Sequence, residues 1–212
     1  MKYMKKIISV FAALTLAMTV PMQAVAAGSS TVQSDREQLT ISDTEGFLKF
    51  AQDCRLDTYS KNLYVTLGAD IELSGEYTPI PVFGGIFDGA GHTISGVRIN
   101  DDGSYAGLFR YVQRGAIVKE LKVRGTITPS GSGENVGGIA GSNYGNITNC
   151  SFEGTVKGTT NVGGIAGVNE KTGFISGSSA SGAITGSHST GGIAGTSSGT
   201  ILNSTSRCSV NT

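Results

Sequence analysis

One phrase recurs along this chain and limits its fold more than any other feature. Asn135-Val136-Gly137-Gly138-Ile139-Ala140-Gly141 returns as Asn161-Val162-Gly163-Gly164-Ile165-Ala166-Gly167, and then as Thr190-Gly191-Gly192-Ile193-Ala194-Gly195. Ile139, Ile165 and Ile193 stand 26 and 28 residues apart, and runs of Ser, Thr and Asn follow each copy. Periods of this size mean stacked units, none of which buries its apolar face alone.

Weaker copies extend the register in both directions. With Gly125 and Gly154 as anchors, Val118 falls on Ile147, Leu121 on Cys150, Val123 on Phe152 and Ile127 on Val156. The same columns continue to Ile175, Ser178, Ala180 and Ile184, and then to Ile201, Ser204, Ser206 and Val210. One step earlier, Ile94, Val97 and Ile99 are placed before Val118, Leu121 and Val123, which makes about five coils. A coil of 24 to 29 residues is too short for a βαβ unit, which needs about 30 or more. The pattern predicts an all-β, right-handed, single-stranded parallel β-helix over residues 80 to 212, with matching positions about 4.8 Å apart. An antiparallel sandwich also tolerates glycine-rich punctuation, but gives no reason for identical columns to recur.

The N-terminus reads separately. Lys2, Lys5 and Lys6 precede an apolar run from Ile7 to Val20, followed by Pro21 and small residues at Ala24, Ala26 and Ala27. This predicts a secretory signal peptide over residues 1–27; its largely apolar run of 14 residues is short for a membrane span. No later segment approaches one, so the mature chain is expected to lack a membrane span. Removing the signal takes three of the 16 basic residues and none of the 16 acidic ones, leaving about −3. That charge argues against a nucleic-acid surface. Residues 28–38 read as a flexible leader.

Residues 39–79 read as an N-terminal cap with lead-in strands. Ser42 and Glu45 have capping-box spacing, and Phe47, Phe50, Ala51 and Cys54 then fall on one helical face. Such a helix suits the exposed end of a first coil. Leu63, Val65 and Leu67 alternate as a strand, and Ile71 and Leu73 repeat the pattern.

Several ordered segments resemble bacterial secreted proteins with the GLUG motif. They are Leu67-Gly68-Ala69-Asp70-Ile71-Glu72-Leu73, Pro79-Ile80, and Gly85-Ile86-Phe87-Asp88-Gly89-Ala90-Gly91-His92-Thr93-Ile94. Ala106-Gly107-Leu108-Phe109 and the three Gly-Gly-Ile-Ala-Gly phrases continue the likeness over residues 40 to 212. The resemblance implies a secreted or cell-surface location and a β-helix of the pectin-lyase type, and it implies no activity. Arg110 departs from it, standing where later copies have Gly141, Gly167 and Gly195, so that turn is expected to differ.

No catalytic, cofactor-binding or metal-binding residue emerges from the sequence. His92 and His188 form no H-E-x-x-H arrangement, and no G-x-S-x-G elbow is present. Asp101-Asp102 beside Gly103 reads as an exposed turn. Arg124 and Glu153 are register-matched, and their surface pairing is expected to contribute only about 0.2–1 kcal/mol. All 32 glycines lie beyond residue 27 and recur at coil positions, which favours geometry over chemistry. Asn149 and Asn203 share a column with Glu120, but Gly177 interrupts any amide ladder.

Two function classes remain. The first is a non-enzymatic secreted or surface module, a scaffold or adhesion element, with surface glycans or host and cell-surface proteins as partners. The second is a carbohydrate-active β-helix enzyme, a polysaccharide lyase or hydrolase, suggested by architecture alone. Apolar volume falls toward the C-terminus, so the final coil is expected to be least stable and to invite self-association or further coils. Register also separates Cys150 from Cys208 by two rungs, about 10 Å, so no disulfide is expected between them.

Overall fold

The computed structural model describes residues 36–56 and 58–212. The expected signal peptide and residues 28–35 of the expected leader lie outside the described residues. From Glu37 onward the chain is almost entirely short parallel strands in four sheets. A seven-stranded sheet runs, in spatial and chain order, through Glu37–Ile41, Leu63–Leu67, Ile86–Asp88, Ile117–Lys119, Asn146–Thr148, Phe174–Ser176 and Thr200–Leu202. A six-stranded sheet takes the longer strands: Ile71–Glu72, Thr93–Ile99, Lys122–Ile127, Ser151–Lys157, Ser179–Thr185 and Thr205–Asn211. A five-stranded sheet (Ile80–Phe83, Phe109–Val112, Ala140–Asn143, Ala166–Asn169, Ala194–Ser197) and a three-stranded one (Glu134–Gly137, Thr160–Gly163, His188–Gly191) complete the coil. Every strand pairs with its counterpart one turn away, which makes a parallel β-solenoid of about six turns. The additional turn comes from residues 63–73, read from sequence as lead-in, whose strands pair with Ile86–Asp88 and Thr93–Ile99 of the next coil.

The expected columns form from Val118 onward. Val118, Ile147, Ile175 and Ile201 pair in succession, as do Val123, Phe152, Ala180 and Ser206. Ile139, Ile165 and Ile193 occupy consecutive rungs, with N–H to C=O distances of 3.0 and 2.8 Å. The step before Val118 needs correction. Phe87, not Ile94, precedes Val118, while Ile94 pairs with Val123 and Ile99 with Ile127. The displacement is one whole strand, Ile86–Asp88 taking the place expected for Ile94, and a bulge between Ile94 and Val97 adds a one-residue shift within the next strand.

The helix Thr44–Asp53 closes the N-terminal end. Its N-cap is Asp43, whose Oδ1 accepts the Gly46 N–H at 2.7 Å, one residue beyond the expected Ser42. Phe47 and Phe50 are buried and reach into the first coils. Phe47 lies 5.8 Å from Tyr77, and Phe50 lies 6.2 Å from Phe83 and 5.9 Å from Phe87. Phe83, Phe87 and Phe109 continue the cluster in edge and tilted contacts. Such pairs contribute about 0.5–1.5 kcal/mol each beyond burial.

Two corners of the coil require left-handed backbone. Glu120, Asn149, Gly177 and Asn203 have φ of 50°, 51°, 59° and 48°. Tyr105, Asn135, Asn161 and Ser189 have φ of 63°, 57°, 54° and 50°. Asn and Gly suit this region, and bulky residues do not. What recurs in the Asn149 column is therefore a backbone angle, which explains why Gly177 replaces an amide there.

Burial fades along the axis. Ile175 and Ile184 are buried, but Ile193 and Ile201 are only partly covered, and Leu202 and Val210 are 48% and 42% exposed.

Candidate functional surfaces

The polar side chains of the motif coils are largely engaged between coils. Asn143 Nδ2 donates to Asn169 Oδ1 at 2.9 Å, and Asn169 Nδ2 donates to Ser197 Oγ at 3.1 Å. Asn143 and Asn169 are fully buried, so this is an inward amide ladder, below Phe83 and Val112 in the same column. Sequence reasoning missed it by following Asn149 and Asn203. The available signal was Asn143 and Asn169, each two residues after the last glycine of a motif copy. Outside, Asn161 Nδ2 donates to Asn135 Oδ1 at 2.7 Å, and Asn149 Nδ2 donates to Glu120 Oε1 at 2.7 Å. Ser178 Oγ accepts the Cys150 N–H at 3.2 Å.

The candidates singled out from sequence are dispersed. His92 Nδ1 lies 3.1 Å from Asp70 Oδ1, which also accepts the Thr93 N–H. That N–H and the imidazole hold the Asp70 carboxyl below its usual range. His188 opens an exposed strand four coils later. Arg124 Nε meets Glu153 Oε2 at 2.9 Å with both side chains 62% exposed, the weak surface pair expected. Asp101, read as part of an exposed turn, instead is half-buried against the Arg110 guanidinium. Arg110 also donates to the Ser104 carbonyl at 2.8 Å. The physical reason for this departure is local. A Cβ on Gly141 or Gly167 would strike backbone at Tyr105 or Asn135 of the preceding coil, whereas the coil before Arg110 contributes no strand to the three-stranded sheet.

All three cysteines are free. Cys54 and Cys150 are buried, and burial pushes both thiols up to about 12. Cys208 pairs with Gly182, the column expected for it.

A denser charged group lies on the seven-stranded sheet. Asp88 Oδ2 accepts from Tyr64 Oη at 2.8 Å and from Lys119 Nζ at 2.7 Å, and the ammonium stands 5.5 Å from the Tyr64 ring centroid. Burial alone would raise the Asp88 carboxyl, but hydrogen bonds from Lys119, the Ala90 N–H and Tyr64 outweigh it and hold the carboxyl down. The bond to Asp88 correspondingly holds Lys119 up. Every polar atom here has a protein partner, so the group ties three coils together.

Two outer faces have shape or chemistry of their own. On the six-stranded sheet Gly96, Gly125 and Gly154 line a shallow trough with Arg98, Arg124, Thr126 and Glu153, continued by Glu76 and Asn100. A Cβ on Gly125 or Gly154 would meet the carbonyl oxygen of Val97 or Gly125 in the coil before, so the trough follows from coil packing. Its two carboxylates are engaged separately, Glu76 by Asn100 at 2.6 Å and Glu153 by Arg124. Where the five-stranded sheet begins, Tyr105 of the preceding corner and Tyr111 of the strand Phe109–Val112 lie 4.7 Å apart between ring centroids, inclined by 35°. Tyr144 is 40% exposed, and Ser142 Oγ donates to Glu170 Oε1 at 3.1 Å. Partial burial and then the Glu170 carboxylate push the Tyr144 phenol up; burial and then the Tyr105 phenol do the same to Tyr111.

Among the described residues, no group of three or more His, Cys, Asp or Glu is placed to hold a metal ion, and no helix is long and apolar enough to cross a membrane. Stacked coils, recurrent corner angles and inter-coil side-chain bonds define a β-solenoid repeat protein. The chain carries the GLUG motif, whose family model matches residues 132–157, the first coil with all four strands. It is 29% identical over 170 residues to Halomucin of Haloquadratum walsbyi, an archaeal protein, covering 74% of this chain and 2% of that one. It is 41% identical over 73 residues to a protein of Evansella cellulosilytica named as a Gly-rich membrane protein, covering 34% and 8%. The chain thus spans only a small fraction of the length of either relative. No solved structure matches it.

Proposed function

We propose that this chain is a surface-type, non-enzymatic β-solenoid module that acts as a rigid scaffold or adhesion element outside the cell. The observation that carries this reading is the use of its polar side chains. Asn143, Asn169, Asn149, Asn161 and Ser178 all bond to an adjacent coil, so they stiffen the stack and are occupied. The two relatives, one named as a membrane protein and one archaeal, support a location at a cell boundary and argue against confining the module to bacteria. A signal peptide at residues 1–27 fits that location.

A lyase or hydrolase would need carboxylates or a base converging on one bond; Glu76 and Glu153 in the trough are each tied to a neighbour instead. The test has two arms. Protease shaving of intact cells that produce the full chain should release its peptides, and a polysaccharide panel incubated with purified protein should remain uncleaved. Peptides recovered only after lysis would overturn the location, and new reducing ends or unsaturated products would overturn the non-enzymatic reading.

A further inference from the structure

The corner that leads into the five-stranded sheet carries a feature that stacking does not require. Tyr105 has φ 63°, in a column where Asn135, Asn161 and Ser189 meet the same corner with small polar side chains. A left-handed aromatic residue is a conformational outlier, and such outliers persist where surrounding structure or function holds them. Its ring is laid against Tyr111 at 4.7 Å, and Tyr144 and Glu170 lie beside it on the following coils.

We propose that Tyr105, Tyr111 and Tyr144, with Glu170, form a binding platform for a neutral glycan. The proposal rests on the adhesion reading above and names its ligand class and site. Three observations select that chemistry. The Tyr105 and Tyr111 rings adjoin at a tilt of 35° and both are partly exposed, so together they present an apolar surface of the kind that accepts the C–H face of a sugar ring. The phenols and the Glu170 carboxylate, which the buried Ser142 hydroxyl holds from beneath, supply donors and acceptors for sugar hydroxyls around that surface. Arg110, the cation adjoining it in sequence, is engaged by Asp101 and the Ser104 carbonyl, so an acidic sugar would face Glu170 without a counter-charge. A quaternary ammonium ligand prefers ring faces that surround it, and two adjoining rings inclined by 35° form no such cage.

Binding is read by tyrosine fluorescence, because the chain has 7 Tyr and no Trp. The full chain is titrated with cellohexaose, xylohexaose and mannohexaose as neutral probes, with hexagalacturonate as the acidic probe and tetramethylammonium as the cationic one. At least one neutral hexasaccharide should bind, and the other two probes should not. Tyr105→Asn installs the residue used at the same corner by Asn135 and Asn161. It should leave the melting temperature unchanged or higher while weakening that Kd ten-fold or more. A purely structural Tyr105 would give the opposite pair of results, lost stability with unchanged affinity, and would overturn the proposal. If Tyr105→Asn fails to fold, Tyr144→Ala at the exposed position decides by the same affinity criterion. Absence of neutral-sugar binding, or binding of hexagalacturonate or tetramethylammonium alone, also overturns it. Either failure leaves the shaving and cleavage results untouched, so the scaffold reading stands or falls separately.

Discussion

The two ends of the solenoid solve the same problem differently. At the N-terminal end the helix Thr44–Asp53 lays Phe47 and Phe50 over the first coils, where Phe83, Phe87 and Phe109 are all fully buried. In the last turn the equivalent columns end in Ser197, Ile201 and Ala194, and Ile193 and Ile201 are only partly covered. The first end is held by apolar volume, the last by backbone pairing and hydroxyl groups. Because a parallel ladder directs alternate N–H groups to opposite sides, a strand paired on one side engages about half of them. Regular secondary structure can therefore be continuous while stability is not.

Native-state hydrogen exchange is the widest test of that contrast. Amides of residues 190–212 should exchange through openings roughly 5 kcal/mol cheaper than those of residues 94–156, a gap comparable with the global stability of a small domain. Uniform protection in a monomeric sample would erase the difference between the ends. Next in size are core truncations. Phe109→Ala should cost about 3–5 kcal/mol in urea unfolding, whereas Ile201→Ala in the partly covered column should cost about 1 kcal/mol. Equal penalties would show that the last coil is packed as tightly as the first.

The middle of the stack is sharpened by its amide ladder. Asn169→Ala removes an acceptor from buried Asn143 Nδ2 and a donor from Ser197, and should destabilise by about 1–3 kcal/mol. Ser197→Ala, at the exposed end of the ladder, should cost less than half of that in the same melt. The smallest effect concerns Asp88. Its carboxyl is held below the unfolded range, so its contribution is complete above the unfolded pKa of about 3.9 and is lost as pH falls through the lower folded value. Asp88→Asn should cost about 1 kcal/mol at pH 7 and should reduce the loss of stability between about pH 4 and pH 2. An unchanged acid limb in the variant would show that other carboxylates govern it.

The repeated phrase was enough to define parallel stacking, because identical side chains at a fixed period can form shared columns only if coils lie one on another. It also placed the Val118, Val123 and Ile127 columns, the buried face of the cap helix and the Arg124–Glu153 pair. It misplaced the rung before Val118 by a whole strand, since Phe87 pairs with Val118 and Ile94 with Val123, because apolar spacing alone does not say which of two successive short strands fills a column. The same limit applies to Asp43 as the N-cap and to Arg110, whose room depends on a strand that the preceding coil lacks. The candidate platform was the least legible part. Tyr105 and Tyr111 flank one bend of a single coil whose left-handed corner at Tyr105 no spacing announces, and only the stacking of the next coil brings Tyr144 beside them. Sequence periodicity determined what repeats along the axis. The tertiary structure decided what happens where the repeat is broken, since a broken position is set by neighbours across the stack and not by neighbours along the chain.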